Sequence, residues 1–284
     1  MEYAEVRRLT IIGLFSDDTL FEQLVLKGGN AISLVYQMGG RASLNLDFSL
    51  AQDFEDLQDT ERRIVTSLER KFGEHGLSLF DAKFGPRPNV GKSDIPWWGG
   101  YQFEFKLIEK QKHARFASDP DSVRRNALVS GPKQERRFTV DFSKFEYCAG
   151  KVERELDDYT IYVYSPEMIV IEKLRAICQQ MPEYSLNGTK RARARDFYDI
   201  HVLITASKVD LAAAESIALL RGIFAAKEVP VRLLGDIAGQ YEYHRLDWPG
   251  VKDAVAAGEL REFDFYFDFV LAQVARILEV FREE

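Results

Sequence analysis

Asp47 and Asp141 each occupy a polar position in an alternating segment. Two carboxylates on neighbouring strands can share one Mg2+ with a substrate phosphate, because that cation takes oxygen ligands and bridges protein to phosphate. Those residue types equally suit two solvent-facing aspartates on unrelated strands. Gly28-Gly29 stand directly before an apolar-periodic stretch. A glycine pair there lets backbone N–H groups approach a phosphate at a helix N-terminus, and it also suits a plain tight turn. Lys173 is set among Ile169, Val170, Ile171, Leu174 and Ile177. Its ammonium is either directed from an apolar boundary at a triphosphate or snorkels to a pairing with Glu172 or Asp196.

The elements that must position these residues are readable from hydrophobic period. Apolar spacing predicts a helix over Asp17 to Leu26 and another from Asn30 to about Tyr36. Ala42 to Leu50 alternates, with Leu44, Leu46 and Phe48 on one face and Ser43, Asn45 and Asp47 on the other, so Asn45 and Asp47 project together from a half-buried strand. Asp59 to Glu74 reads as an amphipathic helix, and Gly85 to Gly100, with its prolines and Trp97-Trp98, as a loop. The tryptophans could stack on a base or anchor the loop by burying their indoles. Tyr101 to Ile108, Arg137 to Phe145 and Thr160 to Tyr164 follow as strands. Ser165-Pro166-Glu167 combines a capping hydroxyl, a first-turn proline and an early carboxylate, and opens a helix to about Gln180. Helices are then predicted over Arg195 to Ala206, Leu211 to Ala226, Val231 to Ile237 and Glu259 to Phe281, with the lobe boundary near Ser165.

The 284 residues carry a formal net charge of −7, which argues against coating nucleic acid by bulk charge. Local patches remain available: Lys106 to Arg137 and Lys190 to Arg195 are both rich in base, as nucleic-acid contacts or as ordinary solvated faces. The early apolar run Leu9 to Phe15 is too short to span a bilayer and lacks a cleavage pattern. Cys148 and Cys178 have no CxxC and no neighbouring histidine pair, so no disulfide or zinc site is expected and a reducing cytoplasm is the default. His75, His113, His201 and His244 fall in no nucleophile or metal spacing and read as surface or packing residues.

Together these pieces resemble the nucleotidyltransferases of the AbiEii/AbiGii toxin type, which include the MenT toxins, within the DNA polymerase β superfamily. The resemblance runs from about Leu24 to Leu203 and rests on four ordered stretches: Leu26 to Ala31, Arg41 to Phe48, Ser165 to Ala176, and Arg195 to Ile200. It implies an α+β fold, with a polymerase β-like mixed-sheet lobe (1–164) followed by a helical lobe (165–284) and a cleft between them. It further implies transfer of a nucleotide from a nucleoside triphosphate to an acceptor, with relatives that modify tRNA 3′ ends and are neutralised by an antitoxin encoded alongside. In the family pattern two aspartates one residue apart hold the metal, Mg2+ or alternatively Mn2+. The second is Asp47 here and the first is Asn45, whose neutral carbonyl contacts a cation while removing one unit of the charge that attracts it. The later-strand carboxylate matches Asp141 best, with Glu104 as runner-up. Gly28, Gly29, Asn30 and Ser43 fall on nucleotide-binding positions, with Asn30 where threonine or serine is common. Lys173 falls on the phosphate contact, and Asp196 on the residue that positions this lysine or assists the acceptor. The segment Lys190 to Arg195 would lie beside the cleft.

Asn45 opens a second reading, a non-catalytic nucleotide- or RNA-binding module that keeps the fold. A third reading is phosphotransfer to a small molecule or a protein hydroxyl. An RNA acceptor predicts strongly salt-dependent binding and a small acceptor little.

Overall fold

The computed structural model describes residues 2–38, 45–88, 95, 98–129, 134–186, 190–255 and 260–283. The chain opens with α1 (Tyr3–Phe15), whose Ile11 and Leu14 are fully buried. The run Leu9 to Phe15 is thus the inner part of a core helix. At Gly13 a side chain would meet Leu68 Cδ2 at 3.0 Å, so the glycine permits a close crossing with α4 (Leu57–Glu74). On α4 Ile64, Leu68 and Phe72 are fully buried at i, i+4, i+8, and Asp56 caps its start by accepting from the N–H groups of Gln58 and Asp59.

Between them, α2 (Asp18–Gln23) is capped by Asp17 and stops three residues short of the predicted helix end. Val25–Lys27 instead forms strand β1, all three residues buried. Short apolar runs are ambiguous by period, and a place in the middle of a sheet decides this one. The chain then turns through Gly28 at φ +70° into a helical turn, α3 (Gly28–Asn30), which continues as π-helix over Ala31–Val35.

The remaining strands are β2 (Leu46–Ser49), β3 (Leu77–Arg87), β4 (Gly100–Glu109), β5 (Phe138–Ser143), β6 (Lys151–Leu156) and β7 (Tyr159–Tyr164). They form one mixed sheet of order β3-β4-β5-β2-β1-β7-β6. In it β1 lies antiparallel to β2 and parallel to β7, β2 is parallel to β5, and β4 is antiparallel to both β3 and β5. Two of these strands carry no clear alternation. A bulge between Phe80 and Lys83, with Asp81 at φ 50°, breaks the period of β3, which therefore extends into the segment predicted as loop from Gly85. The sequence of β6, Lys-Val-Glu-Arg-Glu-Leu, is charged as suits an edge strand, and it reaches β7 through Asp157 and Asp158, both at positive φ. Two short helices, α5 (Lys110–Arg115) and α6 (Pro120–Arg125), stand between β4 and β5.

From Ser165 the chain is helical: α7 (Pro166–Cys178), α8 (Ala194–Ser207), α9 (Ala214–Ala225), a 3-10 segment Val231–Gln240, α10 (Tyr241–Arg245), α11 (Trp248–Ala254) and α12 (Phe263–Glu283). Ser165 Oγ accepts from the Met168 N–H, the predicted cap. Met168 to Ile171, Leu174, Ile177 and Cys178 are fully buried, because α7 is covered on nearly every side. Phe263, Tyr266 and Phe267 of α12 pack inward, with Phe197 of α8 stacked on Phe267 at 5.2 Å.

The chain forms two compact units, each assembled from separated stretches. The first comprises Met1–Asn30, Leu44–Cys148 and Glu153–Val163, and the second Ala31–Ser43, Ala149–Val152 and Tyr164–Glu284.

Candidate active site

The polar row of the sheet unit follows from strand register. Lys27 on β1 pairs with Asp47 on β2, Asp47 with Asp141 on β5, and Asp141 with Gln102 on β4. Directly opposed residues point to the same face, so the four side chains form one line across four strands. On the opposite face Leu46, Phe48, Val140 and Phe142 are buried in the core, and Phe48 and Phe142 stack at 5.7 Å. Each phenylalanine contributes roughly 1.5–3 kcal/mol by burial, and a one-residue slip of either strand would bury its aspartate instead.

Gly28 is shaped around Asp47. A Cβ on Gly28 would lie 3.2 Å from Asp47 Oδ2, and the backbone there is already at φ +70°. Both facts favour glycine, since any side chain there would crowd the Asp47 carboxylate.

Asn30 is fully buried, and its amide is occupied at both ends. Its Oδ1 accepts from Arg7 Nη1 at 2.6 Å, and its Nδ2 donates to the backbone carbonyl of Asn45. It thereby ties α1, the end of α3 and the entry to β2 together. Asn45 itself is exposed and sits one residue before β2 begins. Ser43, Trp97 and Asn187 to Thr189 lie outside the described residues.

Asp141 is engaged by neighbours the sequence did not suggest. Its Oδ1 accepts from Arg87 Nη1 and from Gln102 Nε2, each at 2.7 Å. Glu104, the runner-up carboxylate, stands two residues along β4 and pairs with Arg137 at 3.2 Å. Lys27 is buried and lies 3.6 Å from Glu146.

The second constellation belongs to the helical unit. Lys173 Nζ lies 2.8 Å from Asp196 Oδ1 and 2.8 Å from Asp199 Oδ2, and all three residues are buried. Glu172 turns instead to Arg175 at 3.6 Å. Asp199 is the member that the sequence reading missed. Its signal was its spacing, three residues beyond Asp196 on the same helical face. Arg193 adds Nη1 at 3.2 Å from Asp196 Oδ2, and its backbone N–H donates to His244 Nδ1 at 3.1 Å. His244 is fully buried, and burial pushes its pKa down to about 4, so the imidazole is neutral near pH 7.

The basic segments differ in how far they are neutralised. In Lys106 to Arg137, Lys106 and Arg124 both hold Asp81, whose carboxyl falls to about 2. Lys112, Arg125 and Arg137 pair with Glu109, Asp119 and Glu104. Lys190 donates to the carbonyls of Gln179, Met181 and Tyr184, closing the C-terminal end of α7. Arg191 and Arg195 are exposed and have no ion-pair partner among the described residues. Cys148 and Cys178 are buried and not joined in a disulfide, and burial raises the Cys178 thiol. Among the described residues no helix is long and apolar enough to cross a membrane.

A family model described as nucleotidyl transferase AbiEii toxin, type IV toxin-antitoxin system, matches residues 12–269. The chain belongs to the AbiEii nucleotidyltransferase toxin family. The AbiEii family is a toxin family, which implies an antitoxin partner and a nucleotide substrate. A crystal structure from H. pylori assigned as a nucleotidyltransferase shares the fold, with a TM-score of 0.51 at 15% identity over 99% of this chain and 97% of that one. An antigenic nucleotidyltransferase-like protein from Paracoccidioides brasiliensis aligns with a TM-score of 0.39 at 14% identity, over 78% of this chain and 92% of that one. Comparison with curated protein sequences returns no match. The mixed sheet followed by helices agrees with the α+β nucleotidyltransferase architecture expected from the sequence.

For this AbiEii-family chain the donor chemistry decides what a metal would find. Asp47 and Asp141 are adjacent in register, and two such carboxylates offer the oxygen donors that a hard divalent ion takes. Among the described residues no group of three or more His, Cys, Asp or Glu is arranged to hold a metal. Two carboxylates are thin for more than one such ion.

Proposed function

We propose that the chain transfers a nucleoside monophosphate from a nucleoside triphosphate to an RNA acceptor, and that the acceptor is a tRNA. The observation that carries this reading is the in-register pair Asp47 and Asp141 beside Gly28, whose missing side chain makes room for the Asp47 carboxylate. Asp47 and Asp141, with the Asn45 side-chain carbonyl, would hold one Mg2+ or Mn2+. Such an ion neutralises charge on the phosphates as the α-phosphorus is attacked. Gly28 and Gly29 offer backbone to the triphosphate, with Ser43 as a further contact by resemblance. Asn30 acts in this reading by holding the strand entry that carries Asn45, since its own amide is spent on Arg7 and the Asn45 carbonyl. Lys173 carries the phosphate contact assigned by resemblance, and Asp196 and Asp199 hold its ammonium in place. Arg191 and Arg195 are exposed cations that an RNA backbone would meet.

The test is incubation of the purified protein with each of four α-phosphate-labelled nucleoside triphosphates, Mg2+ or Mn2+, and total RNA, beside Asp47→Ala and Lys173→Ala. Label entering a tRNA-sized band with the unaltered protein alone supports the reading and names the nucleotide. Absence of label with every nucleotide and either metal overturns it. The engagement of Asp141 by Arg87 and Gln102, together with Asn45, favours one rival, a nucleotide- or RNA-binding module without catalysis. Asn45→Asp separates the two, since added charge raises the activity of a weak site and does nothing for a module that lacks other parts.

A further inference from the structure

Arg87 holds a position that no motif describes. It is the last residue of β3, and its guanidinium donates Nη1 to Asp141 Oδ1, the same oxygen that accepts from Gln102 Nε2. With both lone pairs of that oxygen taken, Asp141 has only Oδ2 to offer a metal. Arg87 keeps half its side chain exposed, and only one of its five N–H donors is used in these contacts.

The placement is built into the strand ends. Arg87 pairs with Gly100 on the outermost rung of β3 and β4. A Cβ on Gly99, at φ +89°, would come within 2.8 Å of the Arg87 carbonyl oxygen, and one on Gly100 within 1.8 Å of the Phe142 carbonyl oxygen. Phe142 directly follows Asp141. The two glycines therefore let the end of β3 and the β5 backbone approach closely enough for Arg87 to reach the carboxylate.

Charge then argues for a single metal ion. With Asn45 neutral, Asp47 and Asp141 are the carboxylates of the row, and Arg87 already offsets one of them. Two divalent ions about 3.5–4 Å apart, the spacing of two-metal sites, would face a strong excess of positive charge there. A guanidinium needs no such balance, and its planar fork matches phosphate oxygens.

We propose that Arg87, anchored on Asp141, is the fixed cation of this site, standing where a second divalent ion would stand and gripping the phosphates of the bound triphosphate. The site then takes one divalent ion. This inference rests on the nucleotidyl-transfer reading above.

The test titrates the full chain, saturated with inorganic tripolyphosphate, with Mn2+ to two equivalents per chain and beyond, with electron paramagnetic resonance to tell a lone Mn2+ from an exchange-coupled pair and calorimetry for triphosphate affinity. The unaltered protein should give the spectrum of a lone Mn2+. Arg87→Met should weaken triphosphate binding by about tenfold to a hundredfold, the range for removing a charge-assisted hydrogen bond. Arg87→Lys, which keeps the charge without the fork, should retain part of the affinity and guards against a folding defect in the methionine variant. Asn45→Asp combined with Arg87→Met should bring in the coupled pair. A coupled pair in the unaltered protein, or unchanged triphosphate affinity in Arg87→Met, overturns the proposal while leaving nucleotidyl transfer standing. Failure of the unaltered protein to bind either Mn2+ or tripolyphosphate overturns both.

Discussion

Gly28 and Lys173 show how differently two candidate residues are built in. Gly28 is constrained by its own backbone and by the carboxylate resting against it. Gly28→Ala should cost about 1–2 kcal/mol for a left-handed L-residue and also displace Asp47. Stability by urea melts should thus fall modestly while labelling of RNA falls far more. Lys173 is the reverse case, because its ammonium balances two buried carboxylates. Lys173→Met should destabilise the fold by about 3–5 kcal/mol, the cost of stranding buried charge. Diminished activity in a Lys173 variant therefore counts only at a temperature where circular dichroism shows it folded. The two residues were equally visible as sequence motifs, and only the partners around them separate a spacing requirement from a charge requirement.

At the scale of elements, what was legible followed from clean periodicity. The strands carrying Asp47 and Asp141 alternate strictly, and the cap at Ser165 has a side-chain signature, so these were found where expected. The segment β3 was hidden by the bulge at Asp81, β6 by its charge, and α1 by burial on so many sides that no polar face marks it. Arg87 was illegible for a related reason. Its hydrogen bond to Asp141 depends on the alignment of β3, β4 and β5, and no local pattern encodes that alignment. His244 illustrates the same limit among helices. Read as a surface or packing residue, it lies fully buried against the start of α8, with its pKa near 4 set by desolvation. A histidine that folds with a lowered pKa lends stability that is complete above its unfolded value near 6.5 and is lost as pH falls towards 4. The unfolding free energy from urea melts should therefore decline by on the order of 2 kcal/mol between pH 7 and 4.5 beyond what His244→Gln shows, and parallel pH dependences for the two proteins would contradict the assignment.

For the molecule as a whole, net charge of −7 concealed how unevenly its bases are spent. Much of the larger basic segment is held in local ion pairs and Lys190 serves the end of a helix, whereas Arg191 and Arg195 are exposed. Charge reversal at Arg191 and Arg195 should weaken RNA binding across sequences and lower the slope of log affinity against log salt by about one for each phosphate no longer neutralised. Reversal at Arg124 should instead register as reduced stability through Asp81, with RNA affinity retained.

The parallel pairing of Leu26 with Val163 has a consequence in time. During synthesis β1 leaves the ribosome well before β7 exists, and at ordinary elongation rates its edge waits on the order of 10 s for that neighbour. An apolar strand left open for that long is a template for stray pairing. Neither compact unit can close until the chain has passed Val163, so a ribosome stalled earlier would release a polypeptide with the motif around Asp47 intact in sequence and no finished sheet to display it.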